Sequence, residues 1–189
     1  MTVTDYPWSE PIIAAALVRQ TFQRKCLAVV PNCMWTGHEC DLLCVEPRLR
    51  IIDVEIKISR ADLKADADKD KWWQRTGWYT PGQPRPEPVA REWPRRVWKH
   101  YYALPRDLWD AALFDALPSP HSGVLLMTER ANGSIAISVE RRATPNRDAD
   151  RLSAADALDI ARLANLRMWD ALERRAAVED TARHMEVAA

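Results

Sequence analysis

The residues of this sequence best suited to chemistry are three charged side chains that alternate with apolar ones in a short segment. Asp53, Glu55 and Lys57 alternate with isoleucine and valine over residues 50–58. Because successive side chains of a strand point to opposite faces, the segment predicts a β-strand with one apolar and one charged face. Two interpretations stay open. One is an edge strand whose solvated face pairs Glu55 with Lys57, and the other is a functional site.

A further carboxylate upstream favours the functional interpretation. Asp41 begins an apolar segment, residues 41–45, and a turn at Pro47 leads into the charged segment. The short connection predicts neighbouring antiparallel strands, with Asp41 within reach of Glu55. Two facing carboxylates repel each other, and a hard divalent cation resolves the repulsion. Asp41 and Glu55 are therefore the predicted ligands of Mg²⁺ or Mn²⁺, and Lys57 would orient a water or offset charge on a scissile phosphate.

These segments resemble the PD-(D/E)XK nuclease superfamily, and within it the MmcB-type DNA repair proteins. The resemblance is carried by VEIKISRADLKAD at 54–66, ECDLL at 39–43, KW at 71–72, YYALP at 101–105 and GVLL at 123–126. It implies a catalytic set of Asp41, Glu55 and Lys57 acting on DNA, in a repair, restriction or phage context. It also implies further site residues, with Asp53 added from the charged strand face: Glu10, Asp53, Ser59, Asp62, Asp66 and Lys71.

Hydrophobic periodicity predicts an α/β fold of the restriction-endonuclease-like type, a mixed central sheet flanked by helices. A single domain is expected over residues 1–177, with a frayed tail over 178–189. Asn132-Gly133 predicts a hairpin, and Ser153 with Asp156 predicts a capping box. The predicted helices are 12–25, 60–75, 107–117 and one from 153; the predicted strands are 27–30, 41–45, 50–58, 100–104, 123–128 and 134–139.

A proline-rich insertion at about 76–98 interrupts the resemblance and is longer than expected. Aromatic residues interleaved with basic ones suit backbone contact and base stacking on single-stranded or branched DNA. The alternative is that its tryptophans pack onto the domain or onto a second subunit of a homodimer. The predicted nucleic-acid-binding residues are Arg85, Arg91, Trp93, Arg95, Arg96 and Trp98.

Composition excludes few other functions. The formal net charge is zero, so any electrostatic contact surface must be local. No long apolar run or secretory pattern occurs, which predicts a cytoplasmic protein with no membrane partner. The four cysteines lack a CxxC pair and are expected to be buried apolar thiols. Two other classes stay open beside the enzyme: a catalytically silent nuclease-fold module that binds nucleic acid or a partner protein, and a structural protein.

Overall fold

A six-stranded mixed β-sheet flanked by helices forms the centre of the protein, as the sequence predicts. The computed structural model describes residues 8–75 and 87–187. The strand order is β1-β2-β3-β6-β7-β8, with β3, β6 and β7 mutually parallel and the other neighbours antiparallel. The strands are β1 Ala28–Cys33, β2 Cys40–Val45, β3 Ile51–Ile56, β4 Trp73–Arg75, β5 Pro88–Ala90, β6 Val97–Pro105, β7 Gly123–Glu129 and β8 Ile135–Arg141.

Helices cover both faces of this sheet. Helix α1 (Glu10–Leu17) continues as a π-helical turn, Val18–Phe22, and buries Ile13 and Leu17 against the face that carries Leu42 and Val54. Helix α3 (Ala154–Val187) packs Ile160 on the opposite face. The charged side chains of β3 lie on this second face, because they alternate with Val54 along the strand.

The predicted turn signals are confirmed at two positions. Gly133 has φ 75° between β7 and β8, a conformation that glycine adopts without strain. Ser153 and Asp156 form a reciprocal capping box, with each side chain accepting the backbone N–H of the other residue. Helix α3 then stays helical to Val187, although the sequence predicts fraying after residue 177.

Two predicted helices are wrong in extent or type. Helix α2 spans only Arg60–Ala65, and two 3₁₀ turns and strand β4 follow where helix was expected to residue 75. Residues 107–117 form the 3₁₀ segments Arg106–Leu108 and Ala111–Ala116, because Asp110 is extended and caps Ala112.

The insertion is partly built into the domain. Strand β5 lies within it and pairs with β4, which precedes it, and β6 begins at Val97, earlier than predicted. Trp93 donates to the carbonyl of Thr144 at 3.0 Å and stacks on His121. Arg85 lies outside the described residues. In the described part of the chain, no helix has the length and apolarity to cross a membrane.

Candidate active site

The charged face of β3 is buried, so the edge-strand interpretation is wrong. Strand β3 is the third of six strands, and Asp53, Glu55 and Lys57 are only 0%, 1% and 1% exposed. Charged groups at such depth are costly unless other groups neutralise them and satisfy their hydrogen bonds. The groups around each charged side chain therefore determine whether this face could bind a ligand or a metal ion.

Asp41 lies where β2 ends its pairing with β3. The last backbone pair is Leu42 with Val54, one position before Asp41 would meet Glu55. There the Asp41 carboxylate accepts the Ile56 N–H at 2.7 Å, in place of a backbone carbonyl. Burial, with the charges of Glu55 and Glu10, raises the pKa of Asp41 to about 6. No lysine or arginine forms an ion pair with Asp41 among the described residues.

Glu55, in contrast, is in contact with three lysines. Lys71 Nζ lies 2.8 Å from its Oε1, and Lys57 and Lys69 both lie 3.3 Å from its Oε2. Burial alone would raise the pKa of Glu55, but Lys71 and Lys57 hold it below its usual value. Two of these lysines are buried, whereas Lys69 is 48% exposed.

Asp66 joins the same lysines from the other side. Its oxygens lie 2.9 Å from Lys57, 3.0 Å from Lys69 and 3.2 Å from Lys71. It also accepts hydrogen bonds from the Tyr102 hydroxyl and the Trp72 indole. Burial opposes ionisation of Asp66, but these partners lower its pKa well below normal. The α-helix gives way to a 3₁₀ turn at Asp66, and the Asp66 carboxylate is fully buried among these partners.

The start of α2 adds two of the predicted residues. Ser59 caps the helix by accepting the Asp62 N–H at 3.1 Å, which is a standard N-cap arrangement. Asp62 Oδ1 lies 3.7 Å from Lys57, with its side chain 43% exposed. The Lys57 ammonium is therefore held among three carboxylates, those of Glu55, Asp62 and Asp66.

Asp53 has different neighbours. His38 Nε2 lies 3.0 Å from its Oδ2, and His100 Nε2 lies 4.0 Å from the same oxygen. The parallel register explains the second contact, because His100 on β6 pairs with Asp53. Burial and the nearby Lys71 lower the pKa of His100 to about 3, so its ring is neutral near pH 7. His100 Nδ1 lies 2.9 Å from the Ser122 hydroxyl.

The structure brings most predicted site residues together, but not all of them. Glu55, Lys57, Asp62, Asp66 and Lys71 share one ion-pair cluster, and Ser59 positions its edge. Glu10 is exposed and acts on Asp41 only through its charge. Two groups of three metal-binding side chains occur among the described residues, and neither includes Asp41.

The predicted nucleic-acid-binding residues are spread over other surfaces. Trp98, between Arg50 and Lys99, lines with Ile52 a cavity of about 500 Å³ on the α1 side of the sheet, opposite the charged face of β3. Arg96 lies over the Trp35 ring, Arg95 is exposed and Arg91 is partly buried. The two tryptophans thus pack onto the domain, which was the alternative interpretation.

Sequence reasoning missed several residues of this face: His38, Cys40, Lys69, Trp72, His100, Tyr102 and Ser122. The only usable signal was the alternation in residues 100–104, which places His100 and Tyr102 on one strand face. In the parallel register, these two residues neighbour Asp53 and Glu55.

Comparison with known proteins supports the fold alone. No family model matches the chain, and no curated protein matches it. A solved structure of a protein of unknown function from Silicibacter pomeroyi is similar, with a TM-score of 0.53 at 17% sequence identity. The alignment covers 93% of this chain and 94% of that protein.

Proposed function

We propose that the protein is a metal-dependent nuclease that hydrolyses DNA phosphodiester bonds. Asp41 and Glu55 would hold Mg²⁺ or Mn²⁺, and Lys57 would assist the reaction. The proposal is supported chiefly by the end of the β2–β3 pairing, where the Asp41 carboxylate accepts the Ile56 N–H and the charge of Glu55 acts on it. We propose a repair, restriction or phage context in the cytoplasm.

The donor set at this point suits a hard cation. Carboxylate oxygens are the protein ligands that Mg²⁺ prefers, with water and substrate phosphate completing its coordination. Asp41 has no cationic side chain paired with it among the described residues, and burial, followed by the negative charge of Glu55 and then of Glu10, raises its pKa although the charge of Lys57 opposes the shift. A divalent ion would supply positive charge and the Lewis acidity for phosphate hydrolysis.

Four side chains would then take part at this site. Asp41 and Glu55 would bind the ion. Lys57, held 2.9 Å from Asp66 and 3.3 Å from Glu55, would present a fixed ammonium that positions water or offsets charge on the phosphate. Lys69, half-exposed and 3.3 Å from Glu55, would move aside to free an oxygen for the ion.

One observation favours a second candidate, a nuclease-fold module that binds nucleic acid or a partner protein without cutting. Glu55 already contacts three lysines, and both Glu55 and Lys57 are almost fully buried. A site neutralised by its own lysines has less need of an added ion. The two candidates differ in whether the Asp41 end binds metal.

Cleavage of labelled DNA tests the choice between them. Wild type, Asp41→Asn and the control Asp115→Asn would be incubated with single-stranded, duplex and branched DNA, and with RNA, in Mg²⁺ or Mn²⁺. Asp115 is an exposed carboxylate on the Ala111–Ala116 segment, outside the site. We expect metal-dependent cleavage of at least one DNA form, reduced roughly a hundredfold or more in Asp41→Asn and unchanged in Asp115→Asn.

Two results would refute the enzyme. One is absence of cleavage by wild type on every substrate with either metal. The other is equal cleavage by wild type and Asp41→Asn. Salt-sensitive DNA binding without cleavage would instead support the binding module.

A further inference from the structure

A histidine, a cysteine and an aspartate meet beside the lysine cluster, the ion-pair cluster in which Lys57, Lys69 and Lys71 surround Glu55 and Asp66. The nuclease reaction proposed above uses none of the three. His38 Nε2 lies 3.0 Å from Asp53 Oδ2 and 3.7 Å from Cys40 Sγ. All three ligand atoms lie within 4.8 Å of one another. Cys40 is fully buried in a hydrophobic cluster with Val30 and Leu43, as the sequence predicts, and its thiol also lies 3.5 Å from the Thr36 hydroxyl.

Two of the three separations are close to those between ligands around a tetrahedral metal. Nitrogen, oxygen and sulfur ligands lie about 2.0–2.3 Å from Zn²⁺, which places neighbouring ligand atoms roughly 3.3–3.6 Å apart. The distances from His38 to Asp53 and to Cys40, 3.0 and 3.7 Å, lie on either side of that range. Small side-chain shifts would bring all three atoms onto one ion.

Two buried atoms nearby lack a partner. Asp53 Oδ1 and His100 Nε2 make no hydrogen bond within the described residues, and both side chains are at most 1% exposed. Buried polar atoms are nearly always hydrogen-bonded, so two such atoms in one group indicate a missing partner. His100 Nε2 points toward this group, 4.0 Å from the Asp53 oxygen that contacts His38.

Among the described residues, Asp53 has no ion-pair partner other than histidine, and Lys71 acts on it through its charge without such a contact. No lysine or arginine nitrogen lies within 4.0 Å of Asp53 among the described residues, in contrast to the three lysines around Glu55 and Asp66. The His38 side chain is 12% exposed, which provides a route from solvent to the group. The charge of the group, its donor atoms and its access to solvent are therefore all compatible with a bound metal ion.

We propose that His38, Cys40 and Asp53 bind a transition-metal ion such as Zn²⁺, with His100 as a donor for a fourth position. Thiolate and imidazole ligands favour Zn²⁺ over Mg²⁺, which separates this site from the carboxylate pair Asp41 and Glu55. Binding would form a metal–sulfur bond and release the Cys40 thiol proton to solvent. This proposal does not depend on nuclease activity.

Cobalt titration of the metal-free full chain tests the site, because Co²⁺ bound to a thiolate gives a charge-transfer absorption that oxygen-only sites lack. Cys40→Ala would be compared with Cys44→Ala. Cys44 is equally buried on the same strand but lies in the core on the α1 side of the sheet. We expect the band in wild type and Cys44→Ala, and its loss in Cys40→Ala and in His38→Gln.

His38→Gln keeps the test decisive if Cys40→Ala fails to fold, because His38 lies at the surface edge of the group. Competition with Zn²⁺ should show affinity weakened by about a hundredfold or more in His38→Gln. Asp41→Asn should keep the band, whatever its effect on DNA cleavage, so failure of the two proposals is distinguishable. No thiolate–cobalt band in wild type, or an equal band in His38→Gln, would overturn the inference.

Discussion

Two parts of the same buried strand face neutralise their carboxylates in different ways. In the lysine cluster, Glu55 and Asp66 are surrounded by Lys57, Lys69 and Lys71. In the histidine group, Asp53 has two imidazoles, a nearby thiol and one oxygen without a partner. Burial is the same in both parts. The counter-charge, rather than depth, therefore distinguishes the lysine cluster from the histidine group, where Asp53 has no lysine or arginine within ion-pair distance among the described residues.

The largest expected effect comes from breaking the lysine cluster. Asp66→Asn should lower the free energy of unfolding at pH 7 by about 3–5 kcal/mol, because it leaves buried Lys57 and Lys71 with one fewer counter-charge. Urea unfolding followed by tryptophan fluorescence measures this. Asp62→Asn, at the exposed edge of the cluster, should cost about 1 kcal/mol or less. Equal losses of unfolding free energy in Asp66→Asn and Asp62→Asn would contradict the difference proposed between the buried centre and the exposed edge of the cluster.

The effect of Asp66→Asn on the free energy of unfolding should depend on pH. The lowered pKa of Asp66 means that the folded state releases its proton more readily than the unfolded chain, whose usual value is near 3.8. Its stabilisation is therefore fully present above about pH 5 and decreases as pH falls through and below 4. The difference in unfolding free energy between wild type and Asp66→Asn should shrink on acidification. A difference that is constant from pH 7 to 3 would contradict this.

Asp53→Asn, which removes the charge from the histidine group, should lower the free energy of unfolding less than Asp66→Asn does. Asp53→Asn keeps an oxygen that can accept from His38, and no lysine or arginine within ion-pair distance loses its partner. We expect a loss of about 1–2 kcal/mol in unfolding free energy without added metal. Added Zn²⁺ should stabilise wild type more than the variant, by mass action on the folded state. A loss as large as that of Asp66→Asn would remove the distinction between the two parts.

The contribution of Asp41 to the free energy of unfolding should change with pH in the opposite direction from that of Asp66. Its pKa is raised to about 6, so the folded state holds the proton more tightly than the unfolded chain between pH 4 and 6. Wild-type stability should therefore fall as pH rises through this window. Without metal, Asp41→Asn should be more stable at pH 7 by about 1 kcal/mol, discounted for partial exposure. Destabilisation by this variant at pH 7 would contradict the raised pKa.

The smallest expected effect concerns Lys69, which competes with an ion for Glu55. Lys69→Ala should increase Mn²⁺ affinity by up to about fivefold, because an exposed ion pair is worth about 1 kcal/mol or less. Lys64→Ala, an exposed lysine on α2 without an ion pair among the described residues, is the matched control. Calorimetry on the two variants measures the difference. Equal affinities would show that Lys69 does not occupy the ion's position.

The strands of the central sheet could be predicted from the sequence because each carries its own local signal, whereas β4 and β5 were not predicted. Alternation at 50–58 located β3, and the turn at Pro47 made β2 its antiparallel neighbour. The end of α2 could not be predicted, since residues 60–75 are compatible with a helix. Tertiary contacts to Asp66, from Lys57, Trp72 and Tyr102, override that local preference.

The candidate site was predictable only where its residues are close in sequence. Asp41, Glu55 and Lys57 come from adjacent strands joined by a short turn. His100 comes from β6, after the insertion, and only the parallel pairing with β3 places it beside Asp53. No spacing in the sequence links His38 or Cys40 to these residues, because their proximity depends on the three-dimensional register.

Calorimetric titration of Mn²⁺ into wild type, Asp41→Asn and Asp115→Asn tests for metal binding at Asp41 and Glu55 without requiring a substrate. We expect saturable binding to wild type and Asp115→Asn, weakened at least about tenfold in Asp41→Asn. The same isotherm in all three proteins, or no Mn²⁺ binding to wild type, would contradict a hard-cation site at Asp41 and Glu55.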